Sequence, residues 1–201
     1  DRYLGEVSYV DAELGRLLAG LRPGSIVVVF GDHGDMFGEV PDRPFGHGAD
    51  LDPAVSHVPL LVVAPGRAPS VEERPVGLQD VPATVLDLLG LGQSFGEGRT
   101  LFDPAERHRF MEATQPEPAA GQPGWNNLRT ERAVLGGGQL LLRAPWLGTE
   151  ETLDARTRSP TTPDPALGRL LDGWDAAAPP RRDVEMGDAT REGLKALGYL
   201  E

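Results

Sequence analysis

Two short runs of apolar, largely β-branched residues, 25–30 (SIVVVF) and 58–64 (VPLLVVA), constrain the fold of this chain more than any other feature. Each is continuously apolar rather than alternating, the pattern of a strand covered on both faces within a parallel sheet. Pro59 fits only near the start of its strand, because it cannot donate to a ladder. The runs flank a loop, 31–56, rich in Gly, Asp and Pro. Ahead of them, residues 3–21 place Val7, Val10, Leu14, Leu17, Leu18 and Leu21 at helical spacings of three and four, and Pro23-Gly24 ends that helix. Asp80, two residues before Pro82, opens a second helix that runs through 83–91 (ATVLDLLGL). Helix, strand, loop, strand and helix predict an α/β fold, part of a doubly wound, mostly parallel sheet with helices on both faces.

From about Asp103 the texture changes. Residues 109–113 read as one more strand, and 115–124 (QPEPAAGQPG) as a linker-like turn region. Ala133-Val134-Leu135 and Leu140-Leu141-Leu142, on either side of Gly136-Gly137-Gly138, predict an antiparallel hairpin. Residues 166–174 and 189–200 are short helices separated by Pro179-Pro180. The expected organisation is therefore an α/β catalytic part over 1–105 and a small α+β subdomain over 106–201. No internal repeat is present.

Composition excludes several classes. The formal charge of −12 leaves no basic footprint for nucleic acid. No apolar run approaches the roughly 18 residues that cross a bilayer. Zero cysteines exclude disulfides and thiolate metal sites within these residues, without settling the redox compartment. Lys195 is the only lysine, so cationic chemistry falls to Arg, His or a metal. An acidic chain can still receive an anionic substrate where a metal reverses the local sign.

The chemistry concentrates in Gly31-Asp32-His33-Gly34, directly after the first apolar run. Ligands of open α/β sheets gather beyond the carboxyl ends of the strands. A hard carboxylate oxygen beside an imidazole nitrogen suits a divalent cation. A polar turn with a locally capping Asp is the competing reading. Gly46-His47-Gly48 lies in the same loop, and glycines flanking a lone His point to close packing against a ligand, with an exposed loop His as the alternative. Asp35, Glu39, Asp50 and Asp52 read as a solvated loop face that could also line the cleft. His57 reads as a residue at the start of the second strand with a partner nearby, and His108 as surface. Trp125, Asn126 and Asn127 could approach a substrate, although nothing in their spacing requires it.

The order of apolar helix, strand, DHG, loop, GHG and VPLLVVAPG resembles the C-terminal half of the sulfatase family, within the alkaline phosphatase superfamily. LQDVPAT at 78–84, GRTL at 98–101, ETLDAR at 151–156 and the ending LKALGYL at 194–200 are similar to family segments, in the family's order. The resemblance implies that Asp32 is a metal-ligating Asp and that His33 occupies the next ligand position, where members use Asn or His. It implies that His47 lies near the transferred group, contacting a sulfate oxygen or protonating the leaving group. In phosphodiesterase and mutase relatives a His in this region binds a second metal instead. Calcium is the family default. The Asp-His pair leaves Mn2+, Mg2+ or Zn2+ open, because calcium prefers oxygen ligands.

Three features depart from the family pattern. Val40-Pro41 follows Phe37-Gly38-Glu39 where many relatives have His-Gly, and His57 stands where relatives have Arg. The family's nucleophile is a formylglycine made from Cys or Ser in C/S-x-P-x-R, and its first metal ligands are an Asp-Asp pair. Neither stands in these 201 residues. The expectation is that both lie upstream of Asp1, in a longer protein, and that this chain alone does not turn over substrate. The whole protein is then expected to hydrolyse small-molecule or glycan sulfate esters. Alternatives are a phosphoester or phosphonoester hydrolase, a phosphomutase, or a non-catalytic homologue that binds anions or glycans.

Overall fold

The computed structural model describes residues 2–38, 46–47, 50–92, 96–114, 130–145, 148–177 and 187–196. Its contacts divide the chain into two units, Asp1–Leu171 and Asp172–Glu201. The linker-like stretch 115–124, Trp125, Asn126, Asn127, Pro179-Pro180 and the ending 197–200 lie outside the described residues.

Helix α1 spans Arg2–Ala19 and carries the three- and four-residue apolar spacing. Strand β1 (Val27–Phe30) follows, then the loop that holds both His motifs, then β2 (Leu60–Val63). Inside the loop a single turn of helix, α2 (Pro53–Ser56), is capped by Asp52, whose side chain accepts from the backbone N–H of Ala54. Helix α3 (Asp80–Leu88) starts where Asp80 and Pro82 predict. No helix among the described residues is long and apolar enough to cross a membrane.

The α/β class stands, with one difference inside it. β1 and β2 pair with each other antiparallel, Val27 opposite Val63 and Phe30 opposite Leu60. A parallel return needs a crossover, usually a helix laid on the sheet. The 31–59 connection is instead the site loop, and α2 is its only helix among the described residues. A continuous apolar run reports that both faces can be covered and carries no information on strand direction. Nor are the two strands fully covered by the described residues, since Phe30, Leu61 and Val63 are all exposed.

Beyond residue 105 the chain forms an antiparallel meander of β3 (Arg109–Thr114), β4 (Thr130–Gly136), β5 (Gln139–Ala144) and β6 (Thr149–Asp154), in sequence order. The expected hairpin is β4–β5, closed by Gly137 and Gly138 with Gly136 opposite Gln139. The fourth strand was not anticipated, because 151–156 read as a family segment rather than as an element. One face of this sheet holds a buried cluster of Ala133, Leu140 and Leu142. Leu51, from the loop between β1 and β2, completes it. Covering a leucine side chain contributes about 1.5–3 kcal/mol, so this contact fastens the loop to the sheet.

Helix α4 spans Pro165–Ala177 and buries Leu167 and Leu171 within the first unit. The second unit contains the end of α4 and helix α5 (Asp188–Ala196). In α5, Asp188 in the first turn and Lys195 in the last both complement the helix dipole.

Candidate functional site at the carboxyl end of β1

The site grows out of the end of β1. The N–H of Gly31 donates to the carbonyl of Pro59 at 3.2 Å, extending the β1–β2 pairing by one residue past Phe30. The chain then turns, and Gly34 donates to the carbonyl of Val55 in α2 at 2.8 Å. A Cβ on Gly34 would lie 2.1 Å from the carbonyl oxygen of Ala54, so the second glycine of the DHG motif is fixed by its approach to α2. Met36, almost fully buried, exchanges two backbone hydrogen bonds with Gly46, at 3.0 and 2.9 Å. That bridge closes the loop on itself and carries His47 back over the DHG turn.

The two motif halves therefore meet. The imidazole rings of His33 and His47 lie 3.8 Å apart, centroid to centroid. Nδ1 of His33 lies 3.0 Å from the carbonyl oxygen of Gly34. Nδ1 of His47 lies 3.0 Å from Oδ1 of Asp35. A carbonyl accepts only, and so does an ionised carboxylate, so each Nδ1 carries a hydrogen, and in the neutral ring Nε2 is the nitrogen with the lone pair. This is the arrangement of ligating histidines, whose second ring nitrogen is held by a carbonyl or carboxylate. His33, Asp35 and His47 together offer three ligand atoms, all within 4.8 Å of one another.

Asp32 is placed differently. Its Oδ1 accepts from the backbone N–H of His33 at 3.0 Å, and its Oδ2 lies 3.8 Å from Nε2 of His33. The side chain is 84% exposed and stands outside the three-residue cluster. The reading of Asp35, Asp50 and Asp52 as a solvated face does not hold. Asp35 orients His47, Asp50 is buried, and Asp52 caps α2. Polar composition describes a loop but not its partners, and each of these partnerships is formed by the folding of the loop. Glu39, Val40-Pro41 and Gly48 lie outside the described residues. His57 is exposed and closes α2 through its backbone N–H to Pro53. His108 is exposed and packs over Gly136.

The donor set of two imidazoles and one carboxylate fits a borderline cation such as zinc. Calcium takes about six to eight oxygens and fits this trio poorly.

A second polar cluster lies away from the loop. Asp80, buried at the start of α3, accepts from Arg109 Nη2 at 2.8 Å and from Arg107 Nη2 at 3.4 Å. Burial pushes the Arg109 guanidinium below its ordinary pKa, with Asp80 acting in the opposite direction. The space lined by Arg74, Asp80, Thr100, Arg107 and Arg109 has a volume of only about 10 Å³, that of a single water. This cluster joins elements and offers no room for a substrate.

Comparison with known proteins adds an independent line. The sulfatase family model matches residues 1–91. Arylsulfatase K from Danio rerio is 36% identical over 123 residues, covering 58% of this chain and 23% of that protein. Choline-sulfatase from Rhizobium meliloti (strain 1021) is 31% identical over 94 residues, 44% of this chain and 18% of the relative. Phosphopentomutase from Methylobacterium sp. (strain 4-46) is 35% identical over 94 residues, 47% of this chain and 21% of the relative. Among solved structures, the phosphonate monoester hydrolase from Silicibacter pomeroyi superposes with a TM-score of 0.60 at 25% identity, covering 87% of this chain and 38% of that one. The chain thus spans under a quarter of the length of each of these curated relatives.

Proposed function

We propose that this chain is the C-terminal part of a metal-dependent hydrolase of sulfate esters, a reading supported by the match of residues 1–91 to the sulfatase family model. The observation that carries the proposal is the meeting of His33 and His47 at the carboxyl end of β1, with each Nδ1 held by an oxygen acceptor. His33 would hold the cation through Nε2, and Asp32 is close enough to His33 to join it by turning about its side-chain bonds. Further ligands and the formylglycine nucleophile come from residues outside these 201, which contain no cysteine and no Ser-x-Pro-x-Arg. A bound divalent cation supplies charge neutralisation for the sulfate oxygens and holds a nucleophile in its ionised form.

His47 has the geometry of a proton donor to the leaving group. Asp35 accepts the Nδ1 hydrogen and fixes the ring, so whenever the ring carries a second proton that proton is on Nε2, the nitrogen turned away from Asp35. From there it can pass to the departing alkoxide or aryloxide oxygen as the S–O bond breaks. Asp35 keeps the ring from rotating and so preserves the tautomer.

A second reading is favoured by the compactness of the His33, Asp35 and His47 cluster. In it His47 is a metal ligand, and the substrate is a phosphoester or phosphonoester, in keeping with the likeness to the phosphopentomutase and the phosphonate monoester hydrolase. The two readings separate on one variant of the full-length protein. His47→Ala should keep its metal and lose about 10²- to 10⁴-fold in kcat on an aryl sulfate if His47 is the acid. Loss of metal in that variant, with phosphonate ester turnover in the wild type, selects the second reading. A wild type that binds no divalent metal and cleaves neither ester class leaves only a non-catalytic anion or glycan binder.

A further inference from the structure

We propose that Glu131, on β4 of the C-terminal sheet, is a positioning residue for the His33–His47 pair, an inference that rests on the metal-site reading above. Glu131 is fully buried, and its Oε2 accepts the backbone N–H of Leu51 at 2.8 Å across 80 positions of sequence. A buried carboxylate that is not satisfied by donors is strongly destabilising, so its placement at the root of the site loop is a specific constraint. Leu51 itself fills the cluster of Ala133, Leu140 and Leu142. The sheet therefore grips the loop at one residue by its side chain and its backbone together.

From Leu51 a series of hydrogen bonds leads to the DHG turn, where the His33 ring packs against that of His47. Leu51 follows His47 by four positions in the same loop. On the other side, the carbonyl of Leu51 accepts from Ser56 Oγ at 3.0 Å, and Asp50 Oδ1 accepts from the N–H of Asp52 at 2.8 Å. Asp52 caps α2 through Ala54, and α2 holds Gly34, next to His33, through the carbonyl of Val55. Each link is a hydrogen bond of 2.8–3.0 Å. Together they set the height of α2, and so of the DHG turn, against the sheet. The C-terminal sheet thereby acts on the reaction centre without touching it.

The test uses the full-length protein, Co2+ as a spectroscopic probe of the imidazole site, and amide hydrogen exchange. Glu131→Leu keeps the volume and removes the acceptor, whereas Glu131→Gln keeps an acceptor at the same reach. Expected is an altered Co2+ absorption spectrum and about 10-fold weaker Co2+ binding in E131L, with both restored in E131Q, as for outer partners of metal ligands. The amides of Gly34 and Leu51 should exchange faster in E131L. If E131L fails to fold, Leu51→Ala releases the same grip from the loop side and should give the same spectral change. A folded E131L or L51A with a wild-type spectrum and affinity would falsify the positioning role. A wild type that binds no Co2+ sinks the metal reading instead. The positioning role is then decided by Gly34 and Leu51 exchange alone, and unchanged protection overturns it.

Discussion

Arg109 Nη2 donates to Asp80 Oδ2 at 2.8 Å, a buried bond between the first strand of the C-terminal sheet and the first residue of α3. Asp80 also accepts from the backbone N–H groups of Arg99 at 3.1 Å and Gly77 at 3.3 Å, so one carboxylate organises three separate segments. The covalent link between α3 and β3 is residues 89–108, with no helix or strand among its described residues, and this node holds its two ends in place.

Removing one partner of such a pair costs more than the pair contributes, because the other charge is left buried. Asp80→Ala should destabilise the first unit by on the order of 3–5 kcal/mol, read from urea unfolding of the full-length protein. Arg109→Met on that background should recover part of the loss by removing the stranded guanidinium. A loss below about 1 kcal/mol in the single variant would place the node with ordinary surface ion pairs.

Gly34→Ala tests the seat of the DHG turn. The added Cβ would stand 2.1 Å from the Ala54 carbonyl oxygen, and backbone on both sides limits relief. The turn and α2 must move apart, at a cost of about 1–3 kcal/mol. The expected outcome is weakened metal binding in isothermal titration, with a smaller change in the melting temperature of the whole protein. Unchanged metal affinity would show that α2 and the turn move together without disturbing His33.

Much of this was legible in the sequence, and the unread parts share a cause. The apolar runs announced β1 and β2 because burial leaves a pattern in composition. Their antiparallel pairing left none, since direction is set by the connection. Asp52-Pro53 was a readable helix start, an N-cap followed by Pro at N1, inside a loop read only as polar. Leu51 between Asp50 and Asp52 was likewise a visible signal, an isolated apolar residue in an acidic stretch. Asp35 and Glu131 had no such signature. Their roles come from the Met36–Gly46 bridge and from a sheet 80 positions away, and spacing along the chain encodes neither. The His33 and His47 motifs could be paired from their place in one inter-strand loop and from the family resemblance.

Glu72 gives a pH-dependent signature in the first unit. The Arg74 side chain donates to it through Nε at 2.9 Å, and the Arg74 backbone N–H donates to the same oxygen at 2.9 Å. Those bonds hold its carboxyl down at about 2 rather than the ordinary 4.5. A depressed carboxylate stabilises the fold above its unfolded pKa, and the contribution fades as pH falls from about 4.5 through about 2. The pair is substantially exposed, so the effect on stability is small, and the carboxyl itself is the better probe. Carbon-detected NMR should show the Glu72 carboxyl titrating near 2, and Arg74→Ala should move that midpoint up toward 4.5. A midpoint near 4.5 in the wild type would mean that the pair is open in solution.

The last prediction concerns the apolar surface of the first unit. α1 buries none of its residues, although Leu4, Val7, Val10 and Leu17 recur at the spacing of a core-facing stripe. On the β1–β2 sheet, Leu61 and Val63 alternate with half-buried neighbours, and Phe30 stands exposed at the strand end. Side chains of this kind contribute about 1.5–3 kcal/mol each when covered, so a helix and a sheet face left open forgo a large part of their stabilisation. Two paired strands are marginal by themselves in water, whereas the four-stranded meander has its own buried cluster. Purified as residues 1–201, the chain should therefore unfold in two steps. The α1–β1–β2 region should melt first and bind a hydrophobic dye before heating, and the meander should melt later. Replacing Leu61 and Val63 with Thr should lower dye binding and self-association without shifting the second step. A single cooperative transition with no dye binding would show that these faces are covered by the chain itself in solution.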